Sequence, residues 1–566
     1  MSEPIIQAVC GLMHLHGLAQ GRPRRIGLEV GSVAAGVLAA QGVLAALIAR
    51  RRGSCIRRVK TSVVQAALLT ISQCIARWTC RDDPGGWLPK ASGPAPGPPF
   101  ASSDGHWVEV ETFDPEVWRC FWVALGVESS VLGRAWTAFS FRYSTSRCTL
   151  PRELHEATSK HTLGQLARLA DEFGMSLSRV RSYGEVLKEP GLGSWQPMVD
   201  TSRARKHGHD LSLPAPQARG GQTPAVAGAE ETAPGTLPLT GLQVVEATSR
   251  VQGPLAGQLL RMLGATVTRV EPVGGDPARM TPPIAGDTGA FFLSMNRGKD
   301  AVQLDLSRPA GRSDLMDLVA GADVFLHNWR PGKASEWRVD FEDLASCNPR
   351  LVYCQASAWG DRSGIFPRLG VEFQVQAYAG VGHGINPVDE PPLPSNLLLT
   401  DFMAGLVACE AILRALYLRE LDGHAYHIHT SLLTGAMTLQ AHVLTAMAGG
   451  TERNRSRGRP LWGPLDRPIR TADGFVTVVP QRPATIGRLA ALCGIRGGSC
   501  DLERQIVDRM ATKPAAEWEQ MLSVEGIPCA IIRSDLTTLP EDALIRPLLE
   551  EFKGAWMPGR PWKFSA

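Results

Sequence analysis

The chain contains an internal repeat whose two copies are separated by a constant 369 positions. Residues 370–380, GVEFQVQAYAG, carry the same spaced Glu, Gln, Ala and Gly as residues 1–11, MSEPIIQAVCG. The same separation relates further pairs: Gly36 with Gly405, Ser62 with Ser431, and Asp104-Gly105 with Asp473-Gly474. A constant separation over about a hundred residues leaves almost no room for insertions, which chance rarely produces. The period is far too long for a solenoid, so we interpret the pattern as a duplicated domain.

The two copies are unequal. A preamble that begins near Leu237 precedes the second copy, whereas nothing comparable precedes Glu3. The segment between the copies is rich in Pro, Gly, Ala and charge without an apolar period, which is typical of a flexible linker. We therefore expect a partial copy over 1–200, a linker over 201–236 and a complete copy over 237–566. An alternative is that the missing preamble lies upstream of Met1.

The preamble alternates between strand and helix patterns. Short apolar, β-branched runs occupy 242–248, 265–272, 322–329 and 350–358, and 254–264 has helical spacing that ends on a glycine. This alternation predicts an α/β fold with a Rossmann-like parallel sheet covered on both faces, followed by a smaller α+β domain. No GxGxxG motif follows the first strand, so we expect neither a nicotinamide nor a flavin cofactor.

Composition and charge indicate a cytoplasmic globular protein. The net charge of +4 is small for 566 residues and does not favour a nucleic-acid partner. The twelve cysteines form neither CxxC pairs nor clusters with histidine, so we expect reduced thiols and no metal. Residues 30–49 have the length of a membrane span, but the equivalent second-copy segment carries Asp401, Glu410 and Arg414. Since a bilayer core excludes such charges, we predict a buried helix and no membrane partner.

Several motifs in the second copy resemble a known family. They are residues 239–279, FFLSMNRGKDAVQLDL (291–306), ADVFLHNWRPG (322–332), NPRLVYCQASAWG (348–360) and LLLTDFMAGLVA (397–408). In this order they resemble the class III CoA-transferases, the formyl-CoA and carnitine CoA-transferase group, which also contains the 2-methylacyl-CoA racemases. The resemblance covers 237–566, whereas the first copy resembles only the part of the family that follows the sheet.

The resemblance implies a catalytic role for two carboxylates. Asp401 stands at the family's nucleophile, in the pattern D-x-x-x-G, and Glu372 at an assisting acid. The nucleophile attacks the thioester to form a mixed anhydride, and the released CoA thiolate converts the anhydride to an enzyme-bound thioester from which the acceptor acid takes CoA. Taken without the resemblance, Asp401 is as consistent with a helix N-cap, and Glu372 with a structural carboxylate paired to an arginine.

The resemblance also implies residues that contact coenzyme A, which would be bound as a substrate. Cations and amides beside glycines suit its phosphates, although each cation could equally be a solvated surface residue. The candidates are Gln252, Arg297, Lys299, Asn328, Arg330 and Arg368.

These observations favour an acyl-CoA:carboxylate CoA-transferase acting on an acyl-CoA and a carboxylic acid. A racemase is the first alternative, but that branch has a His where this chain has Val371, and His383 would have to replace it. A non-catalytic acyl-CoA-binding or assembly protein is the second. Ser32 stands at the place of Asp401, so we do not expect the first copy to be a second active site. Because the family forms interlocked dimers, we expect an intramolecular pseudo-dimer or a homodimer.

Overall fold

The computed structural model describes residues 2–81, 97–145, 148–189, 200–203, 237–360, 369–451, 455–480, 483–495 and 501–566. Its largest sheet has six parallel strands and one antiparallel edge strand. In spatial order these are Asp300–Gln303, Thr266–Glu271, Gln243–Ala247, Val324–His327, Val352–Ser357, Tyr426–Ser431 and Asp200–Arg203. The four strands and the helix predicted from the preamble are all present, and the α/β assignment is confirmed.

Both faces of this sheet are covered. Val244 and Cys354 belong to one apolar cluster, whereas their chain neighbours Val245 and Tyr353 belong to another. Successive strand residues point to opposite faces, so a strand buried on both faces must be apolar at nearly every position. The helices of this domain are Gln252–Met262, Ala290–Asn296, Pro309–Ala320, Lys333–Glu336 and Phe341–Cys347.

Two long helices pack against each other and join the two halves of the chain. The first long helix is Val30–Arg51 and the second is Leu399–Asp422, again 369 positions apart. The amide of Gln41 crosses between them and donates to the backbone oxygen of Leu406 at 2.6 Å. By length and apolar composition the first long helix could also span a membrane. Here about half of it packs against protein.

Each half also contributes a three-stranded antiparallel subdomain. The first subdomain has strands Phe100–Ala101, Trp107–Glu111 and Ser176–Arg179 with helices Pro115–Ala124, Ser129–Ser140, Arg142–Thr145, Arg152–Thr158 and Leu163–Phe173. The second subdomain has strands Ile469–Arg470, Phe475–Val478 and Cys529–Ile531 with helices Pro483–Leu492, Leu502–Met510 and Ala515–Val524.

The subdomains exchange covering helices between the halves. Helix Glu372–Tyr378 packs on the first subdomain, where the Gln374 amide donates to the backbone oxygen of Glu109 at 3.0 Å. Helix Glu3–Val9 packs on the second, where the Arg533 backbone N–H donates to the Ala8 oxygen at 3.1 Å. Each half therefore needs the other to bury its apolar surface.

The remaining elements tie the C-terminus to the first half. Strand Lys563–Ser565 pairs with Arg58–Lys60, and the hairpin Leu549–Phe552 and Ala555–Pro558 precedes it. The other helices are Leu12–Gly17, Val63–Leu69, Ser72–Trp78, Tyr183–Val186, Val381–Gly384 and Leu432–Ala448, and two further hairpins pair Ile284–Ala285 with Thr288–Gly289 and Arg455–Ser456 with Arg459–Pro460.

The predicted linker is described only at its start. Its first residues continue the edge strand Asp200–Arg203, in which Arg203 lies opposite Tyr426. The predicted boundary at residue 200 therefore falls within a strand, because backbone pairing to a sheet edge needs no apolar pattern. The rest of the predicted linker, 204–236, lies outside the described residues.

Candidate active site

The second long helix begins on the carboxylate of Glu372. One oxygen of this carboxylate accepts the Thr400 backbone N–H at 2.9 Å and the Gln376 side-chain amide at 2.7 Å. The other accepts the Thr400 hydroxyl and the Asp401 backbone N–H, each at 2.6 Å. The first N–H groups of a helix have no partner within the helix, so a buried carboxylate that accepts two of them acts as a cap from a distant segment.

Gln376 fixes the loop that leads into the same helix. Its amide nitrogen donates to the backbone oxygens of Ser395 and Leu397 at 3.1 and 2.9 Å, and its oxygen accepts the Ser395 N–H at 2.8 Å. Glu372 and Gln376 are one helical turn apart, so both side chains leave the same face of their helix. The spacing Glu-x-x-x-Gln thus serves to place the helix that carries Asp401.

The same arrangement recurs 369 positions earlier. Glu3 accepts the backbone N–H groups of Gly31 and Ser32, both at 2.9 Å, and the Ser32 hydroxyl at 2.6 Å. Gln7 contacts the backbone of Ile26 and Leu28 as Gln376 contacts Ser395 and Leu397. In the second half the hydroxyl donor is Thr400, whereas in the first half it is Ser32, which corresponds to Asp401. Both helices therefore begin on the same kind of cap.

These contacts bear on the alternatives that the sequence left open. Asp401 is not the N-cap, because the helix begins at Leu399 and Glu372 does the capping. The structural alternative for Glu372 paired its carboxylate with an arginine. In the structure the partners of the carboxylate are helix N–H groups and the side chains of Thr400 and Gln376. Its side chain has no exposed surface and both oxygens are occupied, so in this geometry it cannot contact a substrate.

Asp401, by contrast, remains half-buried. Burial, and then the negative charge of Glu372, raise the pKa of Asp401 well above its usual range, while Arg250 and the backbone amide of Gln252 oppose the rise. Burial also raises the pKa of Glu372, although its hydrogen-bond donors favour the ionised form. Since Glu372 has four donors, Asp401 is the member of the pair that holds a proton to higher pH.

The loop between the first strand and the next helix faces Asp401. Asn328 holds Ser249 from both sides, accepting its N–H at 3.0 Å and donating to its oxygen at 2.7 Å. Arg269 donates to the Thr248 oxygen at 3.2 Å, and the Thr248 hydroxyl donates to Glu246 at 2.7 Å. Side chains from neighbouring strands therefore fix this loop, as expected at the carboxyl edge of a parallel sheet.

Arg250 lies in this loop and was missed by the sequence analysis. Its backbone is in the left-handed region, with φ 69°, which is uncommon for a residue other than glycine. Its guanidinium lies 3.9 Å from the ring centroid of Phe113, a residue of the first subdomain. The contact joins positions 137 apart in the chain, and no local pattern signals it.

The glycine of the D-x-x-x-G motif allows a close approach. A Cβ on Gly405 would lie 2.9 Å from both the backbone oxygen of Gln252 and the Leu255 side chain. Among the described residues, no atom lies within 4 Å of a Cβ placed on the equivalent Gly36. The motif thus seats the Gln252 helix against the Asp401 helix, and the first half has no such neighbour at Gly36.

Two of the residues predicted to contact coenzyme A serve the interior instead. Lys299 is fully buried and donates to Glu246, Asn296 and the Pro254 oxygen at 2.7–3.0 Å. Arg297 is 5% exposed and donates to the Ser294 and Pro558 oxygens. In this geometry both side chains are engaged inside the protein, and their contact with a phosphate stays a prediction. The sequence pattern of a basic residue beside a glycine is the same whether the side chain faces solvent or a buried carboxylate.

The other predicted contacts divide differently. Asn328 is hydrogen-bonded to the loop at Ser249. The Gln252 side chain is buried, and its amide nitrogen has no hydrogen-bond partner among the described residues. Arg330 is exposed at the carboxyl edge of the sheet. Arg368 lies outside the described residues.

The residues that bear on racemase chemistry lie as follows. Val371 is buried directly before the Glu372 helix and has no ionisable group. His383 packs with its ring centroid 5.4 Å from that of Tyr183, and burial lowers its pKa to about 4.

The fold and this site define an α/β protein in which a half-buried carboxylate, Asp401, lies in the first turn of a long helix. The model of CoA-transferase family III matches residues 2–234 and again residues 239–547. The chain therefore belongs to CoA-transferase family III, and the two matched regions correspond to the two halves described above.

Individual relatives agree with this membership. The acetyl-CoA:oxalate CoA-transferase of Acetobacter aceti is 29% identical over 357 residues, covering 58% of this chain and 89% of that protein. The succinate–glutarate CoA-transferase of Agrobacterium fabrum is 28% identical over 300 residues, covering 51% and 74%. The crystal structure of a CAIB/BAIF family protein from Brucella suis is 25% identical with a TM-score of 0.53, covering 58% and 93%.

Proposed function

We propose that this protein transfers CoA between an acyl-CoA and a carboxylic acid, with Asp401 as the nucleophile. The observation that carries the proposal is the contrast between two adjacent carboxylates: Glu372 is fully buried with both oxygens hydrogen-bonded, whereas Asp401 is half-buried in the first turn of the helix. Relatives named as CoA-transferases with acetyl-CoA, succinate, oxalate or glutarate as partners support the reaction class.

The proposed reaction needs one carboxylate that is both nucleophile and leaving group. Asp401 attacks the thioester carbonyl, which gives a mixed anhydride and the CoA thiolate. The thiolate attacks the aspartyl carbonyl, so the donor acid leaves and a CoA thioester of Asp401 remains. The acceptor carboxylate attacks this thioester, and the returning thiolate then takes the acceptor's acyl group and frees Asp401.

The surrounding residues prepare Asp401 for this chemistry. The helix N-terminus and the Arg250 guanidinium place positive charge near the carboxylate, which favours its ionised form and the oxyanions of the two addition steps. Arg330 is the exposed cation at the same sheet edge and the best remaining candidate for a CoA phosphate. Glu372 acts on the reaction without touching the substrate, through the position of the helix and through its negative charge, which raises the pKa of Asp401.

The first half is proposed to be a duplicated scaffold without a second site. Ser32 occupies the place of Asp401, and its hydroxyl is committed to Glu3. The exchange of covering helices supports an intramolecular pseudo-dimer with one working site, because each subdomain is completed by the other half.

The test compares Asp401→Ala with Ser32→Ala in a thioester exchange assay. Acetyl-CoA and succinyl-CoA serve as donors with isotopically labelled oxalate, glutarate and longer acids as acceptors. Exchange should disappear in Asp401→Ala and persist in Ser32→Ala, and mass spectrometry should find a CoA adduct on the peptide that contains Asp401. Exchange that survives in folded Asp401→Ala would exclude this nucleophile.

The same preparations separate the alternatives. A racemase would incorporate deuterium at the α-carbon of a 2-methylacyl-CoA without a carboxylate acceptor, and a transferase would not. A non-catalytic binding protein would retain acyl-CoA in equilibrium binding while giving neither exchange nor adduct.

A further inference from the structure

We infer that Phe113, a residue of the first subdomain, is a positioning residue for the active site of the second half, holding the Arg250 guanidinium within electrostatic reach of Asp401. This inference rests on the proposed function of Asp401 and assigns the first half a direct part in that site. Three observations support it: the left-handed backbone of Arg250, the hydrogen bonds of Asn328 to Ser249, and the contact of the Arg250 guanidinium with the Phe113 ring.

The backbone of Arg250 is held in an unfavourable conformation by its neighbours. Asn328 fixes Ser249 on one side, and the helix that begins at Gln252 presses against Gly405 on the other. A non-glycine residue held at φ 69° between two fixed points indicates that the surrounding structure determines its direction. Backbone alone, however, does not fix the end of a long arginine side chain.

Phe113 supplies the second constraint. It follows strand Trp107–Glu111, its ring is 45% exposed, and the Arg250 guanidinium lies 3.9 Å from the ring centroid. A cation over an aromatic face is attracted to it and loses freedom of movement. The contact itself therefore links the ring to the position of the guanidinium.

The contact between Phe113 and Arg250 affects the ionisation of Asp401 through the charges that face it. Glu372 opposes the ionisation of Asp401 from beneath, and Arg250 supports it. On the first subdomain Tyr143 also lies within reach of Arg250, and its hydroxyl donates to Glu111 at 2.5 Å. Among the described residues, if the guanidinium moves away from Asp401, the Gln252 amide remains to offset Glu372.

The experiment uses the full chain with four variants. Phe113→Leu removes the aromatic face and keeps apolar volume, while Phe113→Tyr keeps the face. Arg250→Asn removes the charge but tolerates a left-handed backbone. Arg338→Asn is the matched control, because Arg338 is also an exposed arginine with positive φ, 55°, and lies outside the site.

The readout is the acidic limb of the pH profile of kcat/KM for exchange. We expect Phe113→Leu to shift this limb upward by about half a pH unit, the size of an exposed cation–π contact, with Arg250→Asn shifted at least as far. Phe113→Tyr and Arg338→Asn should keep the parent limb. The double variant of Phe113→Leu and Arg250→Asn should shift no further than Arg250→Asn alone, because the ring acts through the guanidinium.

A second readout does not require activity. Carbodiimide labels protonated carboxyl groups, so the pH dependence of labelling at Asp401, followed by peptide mass spectrometry, reports its ionisation directly. The same upward shifts are expected there. Unchanged labelling and unchanged pH profiles in Phe113→Leu would overturn the inference, as would additive shifts in the double variant. Absence of exchange in the parent, with the labelling shifts present, would overturn the proposed function and leave the positioning contact standing.

Discussion

The carboxylate of Glu372 accepts the backbone N–H of Asp401 at 2.6 Å, so the acid expected to assist catalysis instead holds the helix that carries the proposed nucleophile. The equivalent bond from Ser32 to Glu3 has nearly the same length, 2.9 Å. One capping device therefore serves both a helix that presents a carboxylate and a helix that presents a serine.

Replacing Glu372 should lower the free energy of unfolding, because its main role is structural. Glu372→Ala leaves the buried N–H groups of Thr400 and Asp401 and the Thr400 hydroxyl without a partner, and we expect a loss of about 2–4 kcal/mol. Chemical denaturation of Glu372→Ala measures the loss, with Glu3→Ala as the equivalent change in the first half. A variant Glu372→Gln that keeps full stability yet abolishes exchange would instead show that this acid takes part in catalysis.

The two equivalent glycines should respond oppositely to alanine. At Gly405 a Cβ would meet the Gln252 backbone at 2.9 Å and force two helices apart, so Gly405→Ala should destabilise the protein and reduce exchange. At Gly36 nothing lies within 4 Å, so Gly36→Ala should stabilise the helix by about 0.5–1 kcal/mol. Denaturation midpoints of the pair check both signs, and a stabilising Gly405→Ala would contradict the close approach.

Lys299 should matter to folding and not to CoA affinity. Lys299→Met leaves Glu246 without one of its two cations in a buried network, and we expect a loss of about 3–5 kcal/mol. The contrasting variant Arg330→Met should keep its stability and bind CoA more weakly. Denaturation and titration calorimetry with CoA measure the two effects. Weaker CoA binding in a fully stable Lys299→Met would restore the role predicted from the motif.

Exchange should decline with acidification at a higher pH than an ordinary aspartate would give. Burial and Glu372 raise the pKa of Asp401, and only the ionised carboxylate attacks a thioester. The pH profile of kcat/KM tests this, with circular dichroism over the same range as the control for unfolding. A profile that stays flat down to the ordinary pKa of aspartate, about 3.9, would contradict the raised value.

Acid should also weaken the sheet domain through His327. Burial, followed by His427 and His429, lowers the pKa of His327 to about 3, so the folded state holds this ring neutral. The unfolded chain takes up a proton below its ordinary pKa of about 6.5, and the stability due to the neutral ring is lost as pH falls from there toward 3. Between pH 7 and 5 this amounts to about 2 kcal/mol.

The variant His327→Gln removes this titration and should lessen the pH dependence of the denaturation midpoint, while other buried histidines such as His383 and His427 keep their share. His106→Gln, in the first subdomain, provides the control and should leave the slope unchanged. Equal slopes in His327→Gln and the parent protein would show that another group accounts for the acid sensitivity.

Much of the architecture could be predicted from the sequence. The 369-residue separation predicted the matching long helices, because equal spacing along a chain gives equal spacing along helices, but it did not reveal that Glu3 and Glu372 cap them. The apolar runs predicted four of the six parallel strands to within a residue or two, because strands covered on both faces must be apolar at successive positions. The strands Asp300–Gln303 and Tyr426–Ser431 were not predicted. Asp401 was proposed from the family motif, and the structure places it in the first turn of a long helix.

The roles of the charged residues were decided only by the tertiary structure. A glutamate or a lysine looks the same in the sequence whether its side chain faces a ligand or the protein interior. Glu372 is buried against the N–H groups of a helix, and Lys299 is buried against the carboxylate of Glu246. Arg250 meets Phe113 across 137 positions, so no window of sequence contains both. Sequence determined which segments become helices and strands, since that depends on local periodicity. Tertiary packing decided which of the two carboxylates is fully buried, because the donors to Glu372 come from a segment 28 and 29 positions away.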